Sequence, residues 1–198
     1  MNITPPMIEG SLVRLEPLTW QHLPALSSVA VNNPELWRWT SNRVRSEDDL
    51  RRYLQTAFDW QAAGTCIPWA MVHKQTGQPI GCTRMADISQ EHRSLEIGWT
   101  WVDPAHQRTG INVESKYLIL THAFEAMGAL RVALKTHHQN LKSQAAIRAL
   151  GAVEEGTFRN HMVHHDGSAR HSVWFSILPG EWPDVKARLE ARMQRNAS

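Results

Sequence analysis

Three strand-like runs follow one another with no helix between them: residues 67–74, 80–88 and 95–102. The first two are joined by Gln75-Thr76-Gly77-Gln78-Pro79, a string of turn-forming residues. Strands joined this tightly pair antiparallel, because a parallel crossover needs a dozen or so residues. A second hairpin is predicted late in the chain, where runs at 153–164 and 169–178 flank Asp166-Gly167. Between the two sets lie a helical run at 112–127, an aliphatic run at 130–136 and a short helix from Asn140 to Leu150. A lone strand at 12–17, a tryptophan-bearing helical region at 19–39 and a helix at 46–63 precede them. This mixed order points to an α+β fold rather than a doubly wound parallel sheet.

The helices carry their own start and stop signals. Ser46 is a good N-cap, Glu47, Asp48 and Asp49 suit the positive first turn, and Gly64 follows the end. Leu50, Tyr53, Leu54, Ala57 and Phe58 form the core-facing stripe of that helix. Asn140 caps the short helix, which Gly151 closes. Trp182, Val185, Leu189 and Met193 recur at helical spacing, so the segment at about 181–195 is a packing helix beside a core at about 8–178. One domain over 1–198 suits the length.

Composition narrows the class further. Hydrophobic residues make up 42% and charged residues 20%, enough for a sizeable core. The formal net charge of +2 gives no general reason to invoke nucleic acid or a membrane surface. No apolar run approaches the roughly 18 residues of a spanning helix, and the start lacks the layout of a secretory signal. Cys66 and Cys82 form no CxxC pair and are expected to be reduced thiols in a cytoplasmic protein.

The chemistry sits in Val102-Asp103-Pro104-Ala105-His106-Gln107-Arg108-Thr109-Gly110-Ile111-Asn112. A strand stops at a proline, a polar loop follows, and a glycine opens the next helix. The unpaired amides and the dipole of a helix N-terminus favour an anion, and Gly110 lets a phosphate approach the backbone. Neither GxxxxGK[ST] nor GxGxxG occurs, so nucleotide hydrolysis and dinucleotide redox chemistry lose their usual support.

V-x-P-x-x-Q-x-x-G-x-N resembles the V-x-P-x-x-[QR]-x-x-G-x-[GA] signature of the GNAT superfamily of acyl-CoA-dependent N-acyltransferases. Asn140-Leu141-Lys142-Ser143 is similar to that family's N-x-x-S, and Leu95-Glu96-Ile97-Gly98-Trp99 to its E-I-G-[YW] strand. The combination is most like the branch of ribosomal-protein N-terminal acetyltransferases. The resemblance implies a splayed, mostly antiparallel mixed sheet flanked by helices, with acetyl-CoA lying where two strands part and no metal. It implies that backbone amides from Gln107, Arg108, Thr109, Gly110, Ile111 and Asn112 hold the pyrophosphate. The backbone of Trp101 and Val102 would pair with the pantetheine arm, Asn140 would bond it, and Ser143 would lie near the thioester sulfur. Asn112 departs from the usual small residue, and His106 stands where many members carry an aromatic.

Direct attack by an amine needs a base and a proton donor. Glu96, on the strand leading into the loop, is the candidate base, the alternative being a backbone or ion-pair role. Ser143 is the candidate donor, the alternative being a bond within its helical turn. A tyrosine donor is common in the superfamily, yet neither Tyr53 nor Tyr117 stands in a matching place. Trp37 and Trp39 fall where the superfamily shapes its acceptor pocket, whereas Trp99, Trp101 and Trp174 are expected in the core. His137, His138, His161, His164, His165 and His171 match no metal-ligand spacing and are read as solvated or lining the acceptor mouth, with His161 and His165 on one strand face and His164 on the other. Arg43, Arg45, Arg51 and Arg52 read as a solvated face, with an acidic acceptor as the second reading.

The expected protein is an N-acetyltransferase acting on a primary amine, a protein N-terminus or a small molecule, through a ternary complex. Its partners are then acyl-CoA and the amine, with no nucleic acid or membrane; the resemblance to that branch points to a homodimer, and the edge of the late hairpin could pair with another chain. The rival readings are a non-catalytic CoA-binding regulatory module and an Arg/Trp nucleic-acid binder.

Overall fold

The computed structural model describes residues 1–197. Its strands are β1 (Ile8–Glu9), β2 (Val13–Pro17), β3 (Ile67–His73), β4 (Pro79–Ser89), β5 (Ser94–Val102), β6 (Arg131–His137), β7 (Val153–Val163) and β8 (Ala169–Ile177). The helices are α1 (Leu23–Asn32), α2 (Glu47–Ala62), α3 (Ile111–Thr121), α4 (Leu141–Leu150) and α5 (Trp182–Ala197). All eight strands form one sheet in the order β1-β2-β3-β4-β5-β6-β8-β7. Every neighbouring pair is antiparallel except β5–β6. The α+β reading and the splayed, mostly antiparallel sheet are both found.

The parallel contact is short. Only Ser94, Leu95 and Glu96 pair with Arg131, Val132 and Ala133, although β5 runs on to Val102 and β6 to His137. Beyond Glu96 the two strands part, and the sheet opens into a wedge.

Each face of the sheet carries its own core. One cluster runs from Val13 in β2 to Ile177 in β8, beneath α3, α4 and α5. The other joins α1 and α2 to Ala70, Val72, Cys82 and Trp101, and reaches no further than β5. The stripe of α2 is buried as its spacing requires, with Leu50, Leu54 and Ala57 inaccessible, Tyr53 nearly so and Phe58 half-buried. Ser46 caps it by accepting from the Asp49 amide.

Several boundaries differ from the pattern reading, each for a local reason. β1 is a two-residue strand that alternation is too short to announce; it pairs with Leu15 and Arg14 of β2. The Glu114 carboxylate of α3 anchors the turn that follows by accepting from the amides of Ser11, Leu12 and Val13. The helix expected to reach Met127 changes pitch after Thr121 and finishes as one π turn over His122–Ala126. β7 stops at Val163, so His164 and His165 lie in the following turn and strand alternation does not apply to them.

Candidate active site

The apex of the wedge is built by a bulge in β5. Ala86 faces Glu96 and Arg84 faces Gly98, but Cys82 faces Trp101, so β5 carries one extra residue against β4. Trp99 absorbs it with a left-handed backbone, φ 50°. Unbroken alternation would set Glu96 opposite Trp99 and Trp101. The bulge shifts the phase and brings Glu96, Gly98 and Trp101 onto the α1–α2 side. Tyr53 braces it from α2, its hydroxyl donating to the Trp99 carbonyl at 3.2 Å. Beneath the bulge, on the α3 side, buried Lys116 donates to Thr100 Oγ1 at 2.7 Å, and Thr100 bonds Thr83 at 2.8 Å.

Glu96 is 3% exposed, and its Oε2 lies 2.5 Å from Lys135 Nζ. Burial pushes its carboxyl up to about 7, against the opposing pull of Lys135. The glycine two residues on is required here: a Cβ on Gly98 would stand 2.9 Å from Glu96 Oε1. Lys135 in turn lies over the rings of Trp174, 4.8 Å from the centroid, and Trp99, at 5.5 Å. A carboxylate at the parting of two strands is thus held in one orientation and raised to a pKa suited to accepting a proton near neutrality. Lys135 was not singled out from the sequence; its signal was a cation that, like Arg131, interrupts the aliphatic run at 130–136.

The loop beyond β5 has the geometry of an anion cradle. Asp103 caps a short turn by accepting from the Ala105 amide at 3.0 Å. The Gln107 amide donates to the Pro104 carbonyl at 3.2 Å, so it leaves the expected cradle. The amides of Arg108, Thr109, Gly110, Ile111 and Asn112 donate to no described residue. Arg108 and Gly110 both take left-handed backbones, φ 67° and 91°, which turn the loop into α3. Gln107 has a different part. Its Nε2 donates to the Val102 carbonyl at 3.1 Å and its Oε1 accepts from Lys142 Nζ at 2.8 Å. It therefore ties the end of β5 to the first turn of α4. There Asn140 caps the helix by accepting from the Ser143 amide at 3.1 Å, and the half-buried Ser143 hydroxyl bonds no described residue.

On the α1–α2 side lies a cleft of about 550 Å³, lined in part by Trp37, Trp39, Arg43, Arg45, His137 and His164. Its Trp37 ring stands 5.6 Å from that of Trp101 in β5. Trp37 is a fixed wall, 2% exposed, edge-on to Tyr53 and donating to the Ala30 carbonyl at 2.9 Å. Trp39 lies 5.0 Å from the His137 ring. His164 Nδ1 donates to the Thr40 carbonyl at 3.0 Å, closing the cleft across its mouth. Burial and the neighbouring His138, His164 and Arg170 push His137 down to about 4, leaving it neutral at pH 7. The arginine cluster divides: Arg51 and Arg52 pair with Glu47 and Asp49 on the outer face of α2, whereas Arg43 and Arg45 line the cleft. Burial pushes both Cys66 and Cys82 up to about 12, so neither is a ready nucleophile. Tyr117 is engaged with Glu190 of α5. Among the described residues no group of three or more His, Cys, Asp or Glu is arranged to hold a metal ion, and no helix is long and apolar enough to cross a membrane.

A wedge-shaped sheet with an open amide cradle at one lip and a raised carboxylate at its apex is the frame of an acyl-group transferase. Residues 13–153 match the model of the acetyltransferase (GNAT) domain, and the chain belongs to that family. The uncharacterized N-acetyltransferase YoaA of Bacillus subtilis is 23% identical over 176 residues, spanning 89% of this chain and 99% of YoaA. A protein from T. thermophilus, provisionally named an acetyltransferase and solved by crystallography, is 38% identical, with a TM-score of 0.87 over 97% of this chain and 99% of that one. Mycobacterium smegmatis RimJ, solved in complex with CoA-disulfide, shares the fold at 20% identity, with a TM-score of 0.79 over 96% of this chain and 93% of that one. The family uses acetyl-CoA, and the chain is an acyltransferase.

Proposed function

We propose that the protein transfers an acetyl group from acetyl-CoA to a primary amine, a protein N-terminus or a small molecule, by direct attack in a ternary complex. The observation that carries this reading is the juxtaposition at the β5–β6 parting of a buried Glu96 carboxylate with an open amide cradle and a cleft on the opposite side. Acetyl-CoA supplies an activated acyl thioester. The amides of Arg108 to Asn112, with the Arg108 guanidinium beside them, would hold its pyrophosphate. The backbone of Trp101 and Val102 and the side chain of Asn140 would align its pantetheine. The Gln107 brace links the two lips, joining Val102 to Lys142.

Glu96 accepts a proton from the acceptor nitrogen, leaving the neutral amine to attack the thioester carbonyl, and Lys135 keeps the carboxylate turned toward it. The Ser143 hydroxyl, without a partner among the described residues, gives a proton to the departing thiolate and takes one back from solvent water. The buried thiols of Cys66 and Cys82 support direct transfer rather than an acyl-enzyme. They also support a reducing, cytoplasmic setting. The solvent-facing β7 edge, with Val153, Phe158 and Val163 exposed, supports a homodimer.

The test is acetyl-CoA turnover against a panel of amines, followed by thiol release, with CoA binding measured separately by calorimetry. Turnover with at least one amine is expected. CoA binding with no turnover across the panel would instead favour a regulatory CoA-binding module.

A further inference from the structure

The cleft side of the sheet holds more cations and hydrogen-bond donors than the protein provides acceptors for. Arg170, at the start of β8, is 8% exposed and forms no ion pair or side-chain hydrogen bond with any described residue. Its Nε is wholly buried without a partner. It shares a strand face with Ser172 and Trp174, and the Trp174 indole nitrogen is likewise buried and unpartnered. The register sets Ser172 opposite the cleft-lining His137, and Arg170 stands two residues before Ser172 on the same face of β8; its charge acts on His137, His161 and Glu96.

Other basic groups nearby have partners. Lys135 is bonded to Glu96, and Arg38 pairs with Glu35 at 3.5 Å. Asp166, an acid on the cleft wall, is turned into its own loop by the amide and hydroxyl of Ser168. Arg43 and Arg45 on the rim form no ion pair with a described residue. A buried guanidinium left unpaired is destabilising, and the planar fork of arginine fits a carboxylate with two parallel bonds.

We propose that the acceptor is an amine that also bears a carboxylate, that Arg170 pairs with that carboxylate, and that Arg43 and Arg45 draw it into the cleft. The inference rests on the transferase reading above. Two sources offer this chemistry, the α-carboxylate of an amino acid and the acidic side chain near a peptide N-terminus.

The experiment uses matched acceptors with the full-length protein. An amino acid is compared with its α-amide, and a tripeptide amide with Asp at its second position with the same peptide carrying Asn there. Wild-type kcat/KM is expected to favour the acid of at least one pair by roughly 10–100-fold, the size of one charge-assisted contact. The favoured pair identifies the source. In Arg170→Gln that preference is expected to fall to near unity while KM for acetyl-CoA stays close to wild type. Arg170→Lys retains the charge and is expected to restore part of the preference, which covers the case in which Arg170→Gln folds poorly. Equal use of acid and amide in both pairs overturns the proposal and leaves the transferase reading standing. A loss confined to acetyl-CoA affinity also overturns it, assigning Arg170 to the cosubstrate. If no acceptor is turned over, the transferase reading falls, and calorimetric titration of the same acids decides the anion site. Binding lost in Arg170→Gln upholds it, and no binding to wild type removes it.

Discussion

Replacing Glu96 with Gln tests the centre of the mechanism, because the change keeps the shape of the side chain and an oxygen for Lys135 while removing the site that accepts a proton. Burial raises the carboxyl from its ordinary 4.5 to about 7. That increases its affinity for a proton about 300-fold, and at pH 7 roughly half of the molecules still carry the base in its working form. A general base so placed contributes about 10²–10⁴-fold, so Glu96→Gln is expected to lower kcat by that factor. KM for acetyl-CoA should stay near wild type, because the cradle lies on the loop beyond β5. The pH profile adds a second reading. Wild-type kcat should climb as pH rises through about 7, and that inflection should vanish in the variant. Stability provides an internal control. A carboxyl whose folded pKa is raised stabilises the fold below its unfolded pKa and loses that contribution as pH rises through the folded one. Wild-type melting temperature should therefore decline between about 4.5 and 7, and the variant should lack that decline. Steady-state kinetics across pH, with melting curves of the same samples, check all three. A variant with near-wild-type kcat and an intact inflection near 7 refutes the assignment, leaving Glu96 as an ion-pair partner of Lys135 alone.

Gly110→Trp is expected to abolish CoA binding by calorimetry, since its bulk occupies the cradle. Gly110→Ala should leave the cradle open but cost about 1–2 kcal/mol, because an L-residue resists φ 91°; unchanged CoA affinity in the tryptophan variant would remove the phosphate site from this loop. Lys116 has no acidic partner among the described residues, and burial pushes it down from 10.5 to about 7, so the unfolded chain binds the extra proton between those values. Wild-type stability should accordingly rise with pH across that window. Lys116→Met should be the more stable form at pH 7 and lose its advantage toward pH 10, as melting curves at the two values would show; a less stable variant at pH 7 contradicts this.

Local signals carried far in this chain. The caps at Ser46 and Asn140 and the left-handed glycines at 110 and 151 are consequences of a few adjacent residues, and each stands where its neighbours require. The candidate cradle was readable for the same reason. What lies between distant segments was not. Glu96 and Lys135 meet only because two strands run parallel for three residue pairs, and Trp174 comes to face Lys135 from a third strand. Nothing in residues 94–102 announces that Trp99 will absorb an extra position, yet that bulge decides which side of the sheet Glu96 occupies. Gln107 stands in a recognised motif, but its bracing contact needs Lys142, which only the folded chain brings near. The arginine cluster divided because helical spacing gave Arg51 and Arg52 acids at i−4 and i−3, while Arg43 and Arg45 precede the helix and have none.

The unequal cores on the two faces have a mechanical consequence. The cluster under α3 and α5 spans the sheet from β2 to β8 without a break, whereas the opposite cluster ends at β5. The molecule is bound like a book, with its spine along the α3–α5 side. Across the open side, the covers meet through contacts such as Trp39 on His137 and the His164–Thr40 bond. Flexing about the short β5–β6 seam would widen the cleft without disturbing the spine, in the manner of a hinge. Amides beside that seam should then exchange with solvent sooner than those of β3 and β4. A slender chain laid between the parted strands would join the two covers as a bookmark glued to facing pages.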